Sequence, residues 1–383
     1  MKKEQKLEGE LSLKVLKIIT NLNSGGAQKL LKDLVSEYKK SNISIGILVF
    51  NCNPKSTHYK EILDSGVLVY LTKKNLNWSF ENIKLIKTLA NKYDVIHCHL
   101  FQAQYQTAIS KIIYKFKTPI LTTEHSTFNR RRSKPFNFIE RVIYRQFDIS
   151  IAISEAVNNN LRAWLGNSVS NIITVYNGIN FNDYNMKVDT SKFVDLSKQE
   201  YISLTMIGRF VNSKNQKMIL DAIAILPSKY HLTLVGDGEN LAFIKSYAKF
   251  IKVSNRVAFE GHIDDVFEVL KKTDIYIQAS NWEGFGLSVL EAMLAGKPVI
   301  STDVEGLKEL VDGFGIIVKN NDYIDLSNKI IELEKNAMLY NELSKKSICR
   351  VKEYDMKQTV SKYISLYKEF DCAFALNRGS LDE

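Results

Sequence analysis

The residues best suited to chemistry fall in a few short, glycine-rich, charged segments. The longest is Ser280-Asn-Trp-Glu283-Gly-Phe-Gly-Leu-Ser-Val-Leu-Glu291-Ala-Met-Leu-Ala-Gly296-Lys-Pro298. Its glycines let backbone approach a ligand closely, and a helix opening near Leu287 would aim free N–H groups at an anion. Glu291, about one turn into that helix, can accept two hydrogen bonds from a vicinal diol such as ribose, and Glu283 in the preceding loop is placed for sugar hydroxyls. Isolated glutamates read as solvated helix charges. Two of them eight apart around Gly284-Phe285-Gly286, with Gly296-Lys-Pro298 closing the helix, form a far more specific pattern.

A second segment, Ile207-Gly208-Arg209-Phe-Val-Asn-Ser-Lys214, offers a planar guanidinium fork and a point charge, a pairing suited to a diphosphate. Gly236-Asp237-Gly238 is a turn that is weak evidence alone. Ser24-Gly25-Gly26-Ala27-Gln28 resembles a phosphate cradle but lacks the spacing of a Walker loop or a dinucleotide fingerprint, which argues against an NTPase and a dehydrogenase. Thr123-Glu124-His125 ends an apolar run and would set His125 at the mouth of a cleft, although a lone histidine more often packs than reacts. In His97-Cys98-His99, a strand would put both imidazoles on one face and the thiol on the other, so no metal site is expected.

These segments need strands and helices to hold them. Short β-branched runs predict strands over 14–20, 45–50, 67–71, 95–98, 120–123, 149–153 and 172–175. Amphipathic stretches predict helices over 27–40, 79–92, 103–116, 136–146 and 155–164. After a polar, irregular stretch at 177–199 the pattern restarts, with strands over 202–207, 231–235, 257–259, 275–278, 299–301 and 315–318. Helices are predicted over 214–226, 241–250, 266–271 and 287–295, and 322–370 reads as almost wholly helical. Such alternation means βαβ units, parallel sheets and helices on both faces, hence two doubly wound domains. Open α/β sheets bind ligands at the carboxyl ends of their strands, where every segment above lies, so the site is expected in the cleft between the sheets.

The 383 residues are 45% hydrophobic and 25% charged, with 18 Gly and 5 Pro, which excludes collagen-like, low-complexity and disordered chains. No apolar run reaches the roughly 18–20 residues of a membrane span, and the charged opening MKKEQKLEGELSLK lacks the apolar region of a signal peptide, so a cytoplasmic location is expected. Four scattered cysteines suggest buried thiols in a reducing compartment. Residues 1–195 carry 28 Lys and Arg against 16 Asp and Glu, a net +12, while 196–383 carry 24 against 26, a net −2. Basic clusters stand at Lys39-Lys40, Lys73-Lys74, Lys111/Lys115/Lys117 and Arg130-Arg131-Arg132-Ser133-Lys134. This half should attract an anionic partner, either phospholipid or a phosphorylated substrate. No nucleic acid is expected, because the clusters carry neither an aromatic platform nor a known module.

Together the segments make the chain similar to the retaining GT-B-fold glycosyltransferases of family 4, the glycosyl transferases group 1, of bacterial surface-polysaccharide type. The resemblance rests on the Glu283–Glu291 pair, Gly208-Arg209 with Lys214, Gly236-Asp237-Gly238, Phe259-Glu-Gly261 and Gly25-Gly26-Ala27. Asn177-Gly178-Ile179-Asn180 departs from the family's Asn-Gly-Ile-Asp at Asn180, and Gln28 stands where many members have Glu. It implies an α/β GT-B fold of two Rossmann-like domains facing a central cleft. These would be an acceptor domain at 1–180, a linker at 181–199, a nucleotide-sugar domain at 200–354, and a final helix at 355–383 crossing back to the first domain. It also implies that Arg209 and Lys214 neutralise the diphosphate, Glu283 contacts the transferred sugar, and His125 reaches a sugar hydroxyl. Gly26, Gly208, Gly236, Gly261, His262, Phe285, Gly286, Leu287 and Glu291 would bind the donor. The implied reaction moves a hexose or N-acetylhexosamine from a nucleotide sugar, most commonly UDP-linked, with retention and without a metal or cofactor. The acceptor would be a saccharide, free or linked to polyprenyl diphosphate, in capsule, exopolysaccharide or O-antigen synthesis, with peripheral contact to an anionic membrane face. The competing readings are a GT-B-fold sugar-nucleotide epimerase or phosphorylase and a non-catalytic nucleotide-sugar-binding protein.

Overall fold

The computed structural model describes residues 13–23, 25–41, 43–129, 136–181 and 192–379, with side chains as far as Phe370. Ser24, the cluster Arg130-Arg131-Arg132-Ser133-Lys134 and residues 182–191 of the expected linker lie outside the described residues. The first sheet comprises β1 (Leu13–Asn21), β2 (Ile43–Asn51), β3 (Leu68–Leu71), β4 (Val95–His99), β5 (Ile120–Glu124), β6 (Ile149–Ala152) and β7 (Ile172–Thr174). The second comprises β8 (Ile202–Ile207), β9 (Tyr230–Val235), β10 (Val257–Gly261), β11 (Ile275–Gln278), β12 (Val299–Thr302) and β13 (Ile316–Val318). All neighbours pair in parallel. The orders are β3-β2-β1-β4-β5-β6-β7 and β10-β9-β8-β11-β12-β13, so strand order reverses beside β1 and beside β8. Each reversal opens a crevice at the carboxyl ends of the strands.

Burial on both faces explains why the strands read as continuous apolar runs. In β1, Val15, Leu16, Ile18 and Ile19 are all fully buried. The helices in chain order are α1 (Gly26–Tyr38), α2 (Thr57–Asp64), α3 (Phe80–Ala90), α4 (Phe101–Tyr114), α5 (Asn137–Tyr144), α6 (Glu155–Leu165) and α7 (Gln216–Ile225). They continue with α8 (Leu241–Phe250), α9 (Phe267–Lys271), α10 (Leu287–Leu294), α11 (Glu305–Val311), α12 (Tyr323–Lys335), α13 (Ala337–Val351) and α14 (Met356–Gly379). All thirteen expected strands form. Two helices, α2 and α11, were not expected. In α2 only Ile62 is buried, so it has no apolar stripe to read. α11 is short and carries Gly306 in its first turn.

The halves share more than a cleft. Ala152, Ile153 and Val157 from the first half pack in one cluster with Phe285, Val289, Leu307 and Leu310 from the second. The chain crosses between them twice, side by side: Ile179 N–H donates to Tyr354 O at 2.8 Å and Met356 N–H to Ile179 O at 3.0 Å. After the second crossing, α14 lies on the first sheet, with Met356, Val360, Tyr363 and Tyr367 packed on Leu13, Val15, Val95, Leu121 and Ile151.

Candidate active site

Four loops of the second sheet meet at its switch point. Gly208 N–H donates to Val235 O at 2.9 Å, Phe210 N–H to Asp237 O at 2.9 Å, and Gly236 N–H to Gly261 O at 2.7 Å. The Gly208, Gly236 and Gly261 segments are therefore laced together, and Arg209 projects from them as an exposed side chain. His262 continues the rim, exposed, with Nε2 at 3.3 Å from Asp264. The fourth loop, after β11, ends at Gly286, whose φ of +97° caps α10 in a conformation that favours glycine. Phe285 is fully buried between Tyr176 and Tyr354, at ring separations of 6.2 and 5.4 Å, so it offers the site only its backbone.

Across the cleft, α1 begins at Gly26 next to this loop. A Cβ built on Gly26 would lie 3.6 Å from Leu287 Cδ1, so the N-termini of α1 and α10 lie side by side across the cleft. Neither has a side-chain cap, whereas Ser79 caps α3 and Ser154 caps α6. Uncapped N–H groups and the positive ends of two helix dipoles thus lie close to one another. Gln28, 8% exposed, donates to Asn21 Oδ1 at 3.0 Å.

The two glutamates are both engaged. Glu291, 5% exposed, pairs with Lys29 from the first turn of α1, a contact 262 residues apart in sequence. Glu283 pairs with Lys214 and accepts from Ser280 Oγ at 3.2 Å. Ser280 in turn accepts from Gln278 Nε2 at 2.9 Å, and Tyr276 OH donates to Gln278 Oε1 at 2.8 Å. This buried relay fixes Glu283 from below. Lys29 was missed in the sequence; its only local signal is that it follows the Gly-Gly-Ala-Gln segment by one position.

His125, just beyond β5, reaches the cleft. Its Nε2 lies 3.2 Å from His99 Nδ1. Burial pushes its pKa down to about 4, opposed by neighbouring Glu124 and assisted by Lys17. It is therefore a neutral imidazole at pH 7. Beneath it, His97 Nε2 is 2.7 Å from Thr123 Oγ1, while His97 Nδ1 is 2.7 Å from Tyr367 OH and 2.9 Å from Lys17 Nζ. Burial likewise holds Lys17 well below the ordinary lysine range.

Gly284 lies hard against the first half: a Cβ there would fall 2.3 Å from the His125 carbonyl oxygen. Thr127 Oγ1 donates to Glu283 O at 3.1 Å, and Ser154 Oγ donates to Gly284 O at 2.6 Å. The Glu309 carboxylate accepts from the N–H groups of Glu155, at 3.0 Å, and Ala156.

Among the described residues no three His, Cys, Asp or Glu side chains are grouped to hold a metal ion. His97 and His99 stack at 4.4 Å on one face of β4, and Cys98 donates to Leu121 O at 3.3 Å. Cys52 and Cys98 are buried, but Cys349 is exposed, which corrects the expectation that the thiols are all buried; the side chain of Cys372 lies outside the described residues.

Two parallel-sheet α/β domains with their strand ends facing one cleft are the GT-B fold of glycosyltransferases. The profile described as Glycosyltransferase Family 4 matches residues 24–183, and that of Glycosyl transferases group 1 matches 187–349. The chain belongs to the group 1 glycosyltransferases. It is 29% identical over 305 residues to an uncharacterised 41.2 kDa protein in the cps region of Klebsiella pneumoniae, covering 75% of this chain and 82% of that one. It is 23% identical to the O-antigen biosynthesis glycosyltransferase WclY of Escherichia coli, covering 85% and 90%. Among solved structures, Anabaena HepE in complex with UDP and glucose superimposes with a TM-score of 0.79 at 21% identity, covering 92% of this chain and 99% of that one.

Proposed function

We propose that this glycosyltransferase moves a hexose or N-acetylhexosamine from a uridine-diphosphate donor to a saccharide, free or carried on a polyprenyl diphosphate, with retention of configuration and no metal. The observation that carries this reading is the proximity of two uncapped helix N-termini, at Gly26 and Leu287, with Lys29 and Lys214 paired to Glu291 and Glu283 beside the second and Arg209 exposed on the adjoining Gly208 loop. Leaving-group departure builds negative charge on a diphosphate, and fixed dipoles and cations aimed at that charge lower the barrier. The O-antigen role of one relative and the UDP bound to one solved neighbour support the choice of pathway and base.

In this mechanism the bond from the anomeric carbon to the diphosphate breaks, its electron pair stays on the departing oxygen, and the acceptor hydroxyl attacks the same face. The acceptor's proton passes to the departing diphosphate, so no protein base is needed. Arg209 and Lys214 stabilise the leaving group, Glu291 with Lys29 holds the ribose, and neutral His125 accepts from or donates to a sugar hydroxyl. Glu283, held by Ser280, orients the transferred sugar. Losing one charge-assisted contact to the diphosphate costs ~1.5–3 kcal/mol, so Arg209→Ala should slow transfer roughly 10–200-fold.

The test is thermal stabilisation by UDP-, GDP- and ADP-sugars with EDTA present. A donor at ~100 times its Kd adds ~2.7 kcal/mol. We expect a melting shift with UDP-sugars, abolished in Arg209→Ala and Glu291→Ala. No shift with any nucleotide sugar would remove the donor reading, and a product anomer opposite to the donor's, seen by NMR, would remove retention.

A further inference from the structure

His125 offers the cleft one of its two ring nitrogens, and its neighbours decide whether that nitrogen is a donor or an acceptor. With Phe128 and Trp282, whose rings stand 4.9 Å apart, it lines a cavity of about 380 Å³, and Trp282 directly precedes Glu283. Among the described residues its ring makes one hydrogen bond, through Nε2 to His99 Nδ1 at 3.2 Å, so Nδ1 is the nitrogen left for a ligand. Resting on the transferase reading above, we propose that His99 is a positioning residue: it donates its Nδ1–H to His125 Nε2 and so fixes the His125 proton on Nδ1, as a hydrogen-bond donor to an oxygen of the transferred sugar.

The direction of that bond follows from counting protons. Burial holds His97, His99 and His125 all below the ordinary histidine range, so each ring carries a single proton at pH 7. One of the two nitrogens between His99 and His125 must bear the shared proton. His99 Nε2 is buried and has no hydrogen-bond partner among the described residues. Were His125 the donor, His99 would keep its own proton on that nitrogen, an N–H sealed from water with nothing to accept it. Orphaned buried N–H groups are rarer than under-used acceptors. The opposite direction leaves only a bare lone pair there, and the bond made by one ring nitrogen sets the state of the other. The His99 ring is not free to turn. It stacks on His97 at 4.4 Å, with the ring planes 28° apart, and His97 is pinned at both nitrogens. Lys17 Nζ donates to Tyr367 OH at 2.6 Å and lies 2.9 Å from His97 Nδ1, while His97 Nε2 is 2.7 Å from Thr123 Oγ1. With its lone pair taken up by His99, His125 has none to act as a base, in keeping with a transfer whose proton goes to the departing diphosphate.

The experiment is a long-range ¹H–¹⁵N correlation on the full chain with ¹⁵N-labelled histidine at pH 7, which reports the protonated ring nitrogen of each of the six histidines. His99→Phe and His125→Gln assign the two resonance sets. We expect both His99 and His125 protonated on Nδ1. In His99→Phe, which keeps a ring against His97, His125 should move to the Nε2–H form, and transfer should slow about tenfold as the sugar oxygen loses its donor. His99→Asn, whose amide can place an N–H where Nδ1–H stood, should restore the tautomer and most of the rate. A wild-type His125 protonated on Nε2, an unchanged tautomer in His99→Phe, or no rescue in His99→Asn overturns the proposal. The tautomer is read without any ligand, so it is separable from the donor site. No melting shift with any nucleotide sugar would remove the donor reading, and with it the sugar contact, even where the tautomer is as expected.

Discussion

Lys17 is fully buried in the middle of β1, donates to Tyr367 OH at 2.6 Å and sits about 5 Å from three tyrosine rings. Burial lowers its pKa, so the unfolded chain, titrating near the ordinary value of about 10.4, binds more protons than the folded one between the depressed pKa and that value. Stability therefore rises with pH across that window. Lys17→Met should raise Tm at pH 7 and flatten Tm between pH 7 and 9 in calorimetry; a lower Tm at pH 7 would show that the amine's hydrogen bonds outweigh its desolvation. The histidines act in the same direction at lower pH. His125 falls to about 4, and burial also lowers His97 and His99. As pH drops from about 6.5 toward 4 the unfolded chain takes up protons that the fold refuses, at about 1.4 kcal/mol per pH unit for each proton. Tm should fall over that range, and His125→Gln should lessen the slope by one proton's share.

Two elements decide whether the residues meet. The loop from β11 to α10 touches the first domain at Gly284, where a methyl group would press on the His125 carbonyl. Gly284→Ala should part the halves, increasing the radius of gyration by small-angle scattering and cutting transfer at least tenfold, while circular dichroism stays unchanged. Helix α14 anchors to the first sheet through Tyr367. Tyr367→Ala should cost about 3–5 kcal/mol, as aromatic truncations in cores do. Tyr367→Phe should cost about 1–3 kcal/mol, because Lys17 and His97 lose a partner. Strands such as β1 were legible because burial on both faces demands an unbroken β-branched run. Helix α2 was not, since one buried isoleucine leaves no period. Neither was α11, whose Leu307 and Leu310 find their partners in another part of the chain.

Over the whole molecule, the basic excess lies in one half, and one run of exposed apolar side chains lies with it. Ile112, Ile113 and Tyr114 at the end of α4, and Phe136, Phe138 and Ile139 around the start of α5, are exposed in the half that carries the basic excess. Among the described residues no helix is long and apolar enough to cross a membrane. We expect co-sedimentation with anionic vesicles that weakens as salt shortens the Debye length to about 3 Å near 1 M. Equal binding to neutral vesicles would assign it to the apolar residues, and no binding would remove the peripheral-membrane reading. The donor loops were legible because a strand-end glycine beside a charge is a local pattern. The pairs Lys29–Glu291 and Phe128–Trp282 were not, since nothing within either half records which residue of the other will face it.

Tyr367 meets Lys17 across 350 positions of sequence. During translation, then, β1 leaves the ribosome long before the helix that covers its apolar face, whereas the second sheet and its helices are made in one continuous stretch. The nascent first domain must wait with the part of that face that α1 leaves uncovered still open, and the second half can finish folding while the first still waits.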